Sequence, residues 1–157
     1  STPAFAPRIS FIIPTGNASM NLGVGSAGLQ LNLPFSKIIS NNVTLHFNAG
    51  MTSYFDVRGR RPNSYSIGGS AVYAFTREFN ILLETVAEWN ESVTETSAIQ
   101  RDFTFTVSPG LRYAFNLSAG QLVVGAALPI RVGQDRPGYG LLGYLSFEHS
   151  FLKSDGR

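Results

Sequence analysis

Cysteine is absent from the 157 residues, which excludes a disulfide scaffold, a thiolate metal site and a cysteine nucleophile. Charge is scarce: Asp, Glu, Lys and Arg make up 14% of the chain, where an average soluble domain carries about 25%. Lysine is nearly missing, with Lys37 and Lys153 its two occurrences. The 12 basic and 10 acidic residues almost cancel, and so even a balance lacks the electrostatic footprint of a nucleic-acid binder. No run of about 18 apolar residues is available to cross a bilayer as a helix. The longest uncharged stretch, Ile9 to Ser36, is interrupted throughout by Gly, Ser, Asn, Thr and Pro. Nor do the opening residues Ser1–Arg8 show the basic stretch and apolar core of a signal peptide. The length suits a single domain over residues 1–157.

What is present is alternation. In Leu29-Gln30-Leu31-Asn32-Leu33 and in Val43-Thr44-Leu45-His46-Phe47-Asn48-Ala49 apolar and polar residues strictly alternate. The same period runs through Phe79–Glu84, with Leu82 as the exception, through Asp102–Ser108, and less cleanly through Ser146–Phe151. A period of two places alternate side chains on opposite faces of a strand. Eight strands are expected, at about 5–14, 26–35, 43–54, 65–75, 79–89, 102–115, 121–132 and 139–151. Most are longer than the five or six residues usual in soluble sheets and match the roughly 9–11 that a tilted strand needs to cross a bilayer. The connections alternate between long (15–25, 55–64, 90–101) and short (36–42, 76–78, 116–120). Outer-membrane barrels have short periplasmic turns and long extracellular loops, so both termini are expected on the periplasmic side.

Two further patterns support a barrel. The charges inside the expected strands, Arg8, Glu84, Glu88, Asp102, Arg112, Arg131 and Glu148, all share the polar parity of their strands. Arg101 has the opposite parity but sits at a rim, where Arg reaches headgroups or water. Aromatic residues gather near strand ends: Phe35, Phe75, Phe79, Trp89, Phe103, Tyr113, Phe115, Tyr139 and Phe151. Such rings form girdles at the two water–lipid interfaces. The expected fold is therefore all-β, an antiparallel up-and-down transmembrane β-barrel with eight strands visible. A soluble lipocalin-like ligand-binding barrel has the same alternation with the apolar face inside. Its outer face would then be Ser, Thr, Asn and Gly, poorer in Lys and Glu than soluble surfaces are.

The segment Pro7-Arg8-Ile9-Ser10-Phe11-Ile12-Ile13-Pro14-Thr15-Gly16 resembles a motif of one outer-membrane family, that assigned to the meta-pathway of phenol degradation. Leu29–Pro34, His46-Phe47-Asn48, Ser108-Pro109-Gly110-Leu111-Arg112-Tyr113 and the closing Phe-ended strand are also similar to members of it. The resemblance implies a bacterial outer-membrane location and passive passage of small hydrophobic or aromatic solutes. Members are usually longer, with further strands before the Pro-Arg segment. The resemblance thus implies either a C-terminal portion of such a barrel or a compact relative.

Candidate sites follow from the inward parity. Arg8, Glu84, Glu88, Arg112, Arg131 and Glu148 form either a charged pore lining or a neutralised plug. In a closed eight-stranded barrel side chains just fill the interior, and opposite charges there must pair because an unpaired buried ion costs several kcal/mol. A plugged barrel would be a membrane anchor or a structural subunit of a larger assembly. Arg58, Arg60 and Arg61 concentrate positive charge in one extracellular loop, suited to lipopolysaccharide phosphates or simply solvated; Glu91 and Glu95 in the next loop offer them partners. Outer-membrane lipid is the other expected partner. The two histidines, His46 and His149, fall on opposite faces, so neither a metal site nor a cofactor is expected. Serines are common in the chain, but no local motif makes His46 part of a hydrolase, and no catalytic residue is assigned. The glycines of Gly23-Val24-Gly25 and Gly138-Tyr139-Gly140 lack the strand–helix context of a phosphate loop.

Overall fold

The computed structural model describes residues 2–20, 22–118, 120–133 and 138–149. They form one antiparallel meander: β1 (Ala4–Phe5), β2 (Arg8–Ile12), β3 (Gly28–Ile38), β4 (Val43–Tyr54), β5 (Asn63–Ala74), β6 (Phe79–Val93), β7 (Ile99–Leu117), β8 (Gly120–Ala127), β9 (Ile130–Val132), β10 (Gly138–Tyr139) and β11 (Leu142–Glu148). A single 3-10 turn, Ala18–Met20, interrupts the first long connection. With β1–β2, β8–β9 and β10–β11 each counted as one interrupted strand, every strand pairs with its neighbours in sequence, so the expected all-β, up-and-down architecture is present.

Three of the eight expected strands are each split in two, and proline explains why. A residue in an antiparallel strand directs its N–H and C=O to the same neighbour. Pro109 lies inside β7; its carbonyl accepts from Leu128 N–H at 2.9 Å, but it has no N–H to return. The ladder fails there, and β8 ends before Leu128-Pro129. Pro129 repeats the defect one strand further: its carbonyl accepts from Gly140 N–H at 2.9 Å, and the next strand breaks at Gly140-Leu141 between β10 and β11. On the other side Pro34 accepts from Ala6 N–H at 3.3 Å, opposite the break between β1 and β2. Register survives every break. β1 and β2 continue one ladder on β3, and β8 and β9 continue one on β7.

Following Cα partners from Arg8 gives Asn32, Gly50, Ser66, Glu88 and Thr104. The adjacent row is Ile9, Leu31, Met51, Tyr65, Trp89 and Phe103. One face is thus polar and the other apolar across the whole sheet, as the alternation requires. Outward-row residues such as Ile9, Tyr65 and Trp89 are exposed, whereas Asn32, Ser66 and Glu88 are half-buried. Crowding on the polar side is what a sheet curled towards that side produces.

The long connections 13–27, 55–62 and 94–98 share one end, and the short ones 39–42, 75–78 and 118–119 the other. The 90–101 connection expected from sequence is shorter because β6 and β7 stay paired up to Val93 and Ile99. Ion pairing between Glu91 and Arg101 holds that extension. The 55–62 turn is tied to the 13–27 connection by buried Ser26, whose hydroxyl accepts from Asp56 N–H at 3.0 Å.

Barrel closure, part of the sequence expectation, is not seen. Among the described residues no pairing joins β1 or β2 to β10 or β11. Few described apolar residues are buried, Ala114 and Pro62 among them, while Phe11 (78% exposed), Leu141 (84%) and Leu145 (72%) stand open to the surroundings. The described residues form two faces and no core of their own.

At the short-turn end a Cβ on Gly120 would collide with the carbonyl of Glu148. Gly120→Ala should therefore cost about 1–3 kcal/mol, read as a lower urea midpoint. Gly143→Ala, which meets nothing within 4 Å, should leave the midpoint unchanged.

Candidate functional site

The polar face is a series of recesses along the strand direction. Nearest the long connections a recess of about 570 Å³ opens between Tyr54, Asp56, Arg58, Pro62 and the Glu91–Glu95 segment. Below it a small hollow of about 140 Å³ is bounded by Gln30, Thr52, Ser66, Glu88 and Asn90. Gln30 donates to Thr52 there at 3.2 Å, and Thr104 donates to Asp102 at 3.2 Å on the next strand.

Mid-face, a hollow of about 240 Å³ is lined by Ser36, His46, Asn48, Gly68, Ser70 and Glu84, among others. Register explains the grouping: Ser36, His46, Ser70, Glu84 and Ser108 form one continuous cross-strand row. Ser36 Oγ and His46 Nδ1 are 2.7 Å apart and hydrogen-bonded. Gly68 forms the floor, and a Cβ there would meet only Thr85 O at 3.4 Å and Val86 at 3.6 Å. The hollow's depth therefore comes from a missing side chain. Asn48 donates to Asn32 at 3.4 Å, and its own buried carbonyl oxygen has no partner.

Beyond Glu84 the character changes. A recess of about 310 Å³ sets Leu82, Gly110, Ala127, Leu142 and Tyr144 between Glu84 and Arg112. Leu82 breaks the alternation in sequence because an apolar belt crosses the polar face at this level. It comprises Ile38, Val72, Leu82, Ala127 and Leu142, with Thr44 and Gly110 between them. That break was the signal available in the sequence.

Arg8, Glu84, Glu88, Arg112, Arg131 and Glu148 all lie in the polar-face rows. The expected ion-pair network among them is absent: no ion pair joins any two within the described residues. The register gives the reason. Glu84 faces Ser70 and Ser108, Glu88 faces Ser66 and Thr104, and Arg112 faces Asn80 and Gly125. The open sheet also keeps Arg8 and Glu148 at opposite edges.

The girdle residues divide between the two ends. Trp89 and Phe103 meet at 5.2 Å near the long connections, whereas Phe75 with Phe79 (6.2 Å) and Tyr113 with Phe115 (4.8 Å) lie near the short turns. Phe35 contacts Phe47 at 6.5 Å, and Tyr139 is exposed on β10. Phe151 lies outside the described residues. Trp89 and Phe79 are ten residues apart on β6, about 33 Å of strand. At a tilt of about 40° that rises roughly 25 Å, the height of an outer-membrane apolar band.

Arg58, Arg60 and Arg61 are all exposed. Arg58 adopts a left-handed φ of 54°, and Gly59 N–H donates to Asp56 at 2.8 Å, closing the turn. Arg60 Nε donates to the Ser97 carbonyl at 3.0 Å. The expected pairing of Glu91 with these arginines is corrected: Glu91 belongs to β6 and binds Arg101 Nε at 3.0 Å. It also accepts Asn63 N–H at 3.1 Å. Glu91 stands past Trp89 on β6, towards the long connections. The Asn63 hydrogen bond, then Arg101, hold its carboxyl below the ordinary carboxylate range. His46 and His149 lie on opposite faces, and no cluster suited to a metal occurs among the described residues.

No family model, curated protein or solved structure matches the chain.

The lowered Glu91 pKa carries a sign. Its contribution to the β6–β7 tip is present at neutral pH and is lost as pH falls through the depressed folded-state value. Limited proteolysis across 94–98 should thus accelerate as pH falls through that depressed value, using an acid-active protease. At neutral pH Glu91→Gln should accelerate it as well. Equal rates for Glu91→Gln and wild type at pH 7 would show that the ion pair does not hold the tip.

Proposed function

We propose that the chain is the wall of a bacterial outer-membrane barrel through which small hydrophobic or aromatic solutes pass passively. The observation that carries this reading is the division of the sheet into two unlike faces around no core. Ordinary soluble monomers rarely leave contiguous apolar patches beyond a few hundred Å², whereas lipid accepts such a surface without cost. A lipocalin-like arrangement would need the apolar face to be concave, yet the half-buried side is the polar one.

Passage, rather than plugging, is favoured by the size of the inward side chains. Gly50, Ser66, Gly68, Ser70 and Thr104 occupy the middle of the polar face. Such residues leave water and recesses where a plug needs long, mutually paired ones. The Leu82–Tyr144 recess between Glu84 and Arg112 offers an apolar floor with polar margins, suited to a small solute with a ring or short chain and one polar end. Both chain ends then lie at the periplasmic side, and Arg58, Arg60 and Arg61 face the lipopolysaccharide side.

Detergent-extracted protein reconstituted into liposomes should give swelling with small amphipathic solutes, and conductance in planar bilayers. Silent membranes containing folded protein would exclude passage. Gly68→Trp fills the mid-face hollow without disturbing the backbone and should lower the swelling rate several-fold. An unchanged rate would remove that hollow from the solute path.

A further inference from the structure

We propose that the recess between Glu84 and Arg112 is a binding site for a small dipolar solute, with a carboxylate at one end, an ammonium at the other and an apolar body between. The proposal rests on the passage reading above and names the class of solute. The recess has a volume of about 310 Å³, at the lower end of small-molecule pockets. Its lining comes from β6, β7, β8 and β11, which continuous ladders join, so the site is built within this chain.

Register lays out three levels along the strand direction. Glu84 faces Ser108 at the first. Two residues further along β7 comes the apolar row Leu82, Gly110, Ala127 and Leu142. Two residues beyond that lies the row Asn80, Arg112, Gly125 and Tyr144. An acid, an apolar floor and a base thus follow one another over four residues, about 13 Å of strand. The two charged side chains take up part of that span and leave room for one ring or a chain of a few carbons. Gly110 and Gly125 carry no side chain and keep the floor open, and Gly125 also sets a gap between Arg112 and Tyr144.

The charge pattern decides the ligand. Among the described residues neither Glu84 nor Arg112 has an ion pair, and the apolar row lies between them. A purely apolar solute in the recess would strip water from both charges and return no hydrogen bond. A solute with one charged end would leave the other charge stripped. A dipolar one answers both: the planar fork of Arg112 grips a carboxylate through two parallel bonds, and Glu84 accepts from an ammonium. Arg112 is half-buried and Glu84 exposed, so water shares the Glu84 contact more and its part of the selectivity is the smaller. The solute then lies with its carboxylate towards the short turns and its ammonium towards the mid-face hollow, which Glu84 also lines.

Titration calorimetry on detergent-extracted protein tests this with three probes: para-aminomethylbenzoate carries both ends, benzoate the carboxylate and benzylamine the ammonium. The first is expected to bind about tenfold more tightly than benzylamine and several-fold more tightly than benzoate. Any other order, equal affinities or no saturable binding would overturn the proposal. Arg112→Gln should remove the advantage over benzylamine, and Glu84→Gln the advantage over benzoate. Glu84→Arg places a second base in the recess and should reverse the preference, terephthalate then binding more tightly than para-aminomethylbenzoate. Glu84→Arg with Arg112→Glu should recover para-aminomethylbenzoate, bound end for end. Such gains cannot arise from misfolding, so their absence in variants that keep the β-sheet circular dichroism of the parent would overturn the proposal as well. Selective binding by protein whose liposomes stay silent would overturn passage and leave this site standing. Swelling without selective binding would overturn the site and leave passage standing.

Discussion

Everything in this structure depends on an unbroken antiparallel register. Between β2 and β11 every ladder keeps the same phase, so Arg8, Asn32, Gly50, Ser66, Glu88 and Thr104 fall in one row and Ile9, Leu31, Met51, Tyr65, Trp89 and Phe103 in the next. A slip of one residue in any ladder would exchange the two faces for all strands beyond it. With no core to correct the error, such a slip would be fatal to the two-faced character. Long, regular hairpins therefore replace the packing that an ordinary globular domain uses to specify its fold.

The same register explains the prolines. A proline in a central strand would normally argue against the strand, yet Pro109 and Pro34 sit in β7 and β3. Each loses one hydrogen bond, and the loss falls where the facing strand is already interrupted, at Leu128-Pro129 and at Ala6-Pro7. Defects are thus aligned across the sheet rather than scattered. The central ladders from β3 to β7 keep their pairing along their whole lengths.

Alternation made much of this visible in the sequence. The strand at 43–54 is found with those limits as β4, and Glu84, Glu88 and Arg112 share one face of the sheet. Three things were not visible, each for a physical reason. The β6–β7 extension was hidden because Asn90, Glu91 and Ser92 carry no apolar alternation, and a cross-strand ion pair supports it instead. The charge network failed because sharing a face is not sharing a neighbourhood. Parity says which side a carboxylate points to, while register gives it serines for neighbours. The Leu82–Leu142 belt combines single exceptions from several strands, and each looks like noise until the ladders bring them together.

The meander also bears on how the chain acquires its shape. With each interrupted strand (β1–β2, β8–β9, β10–β11) counted whole, every strand contacts only those adjacent to it in sequence, so no distant segments must find one another before order can begin. Loop-closure entropy enters as a succession of short hairpins, and each completed one offers the next a template with its phase already set. Assembly can therefore proceed as a zipper, in which a pairing error is confronted at the step that makes it.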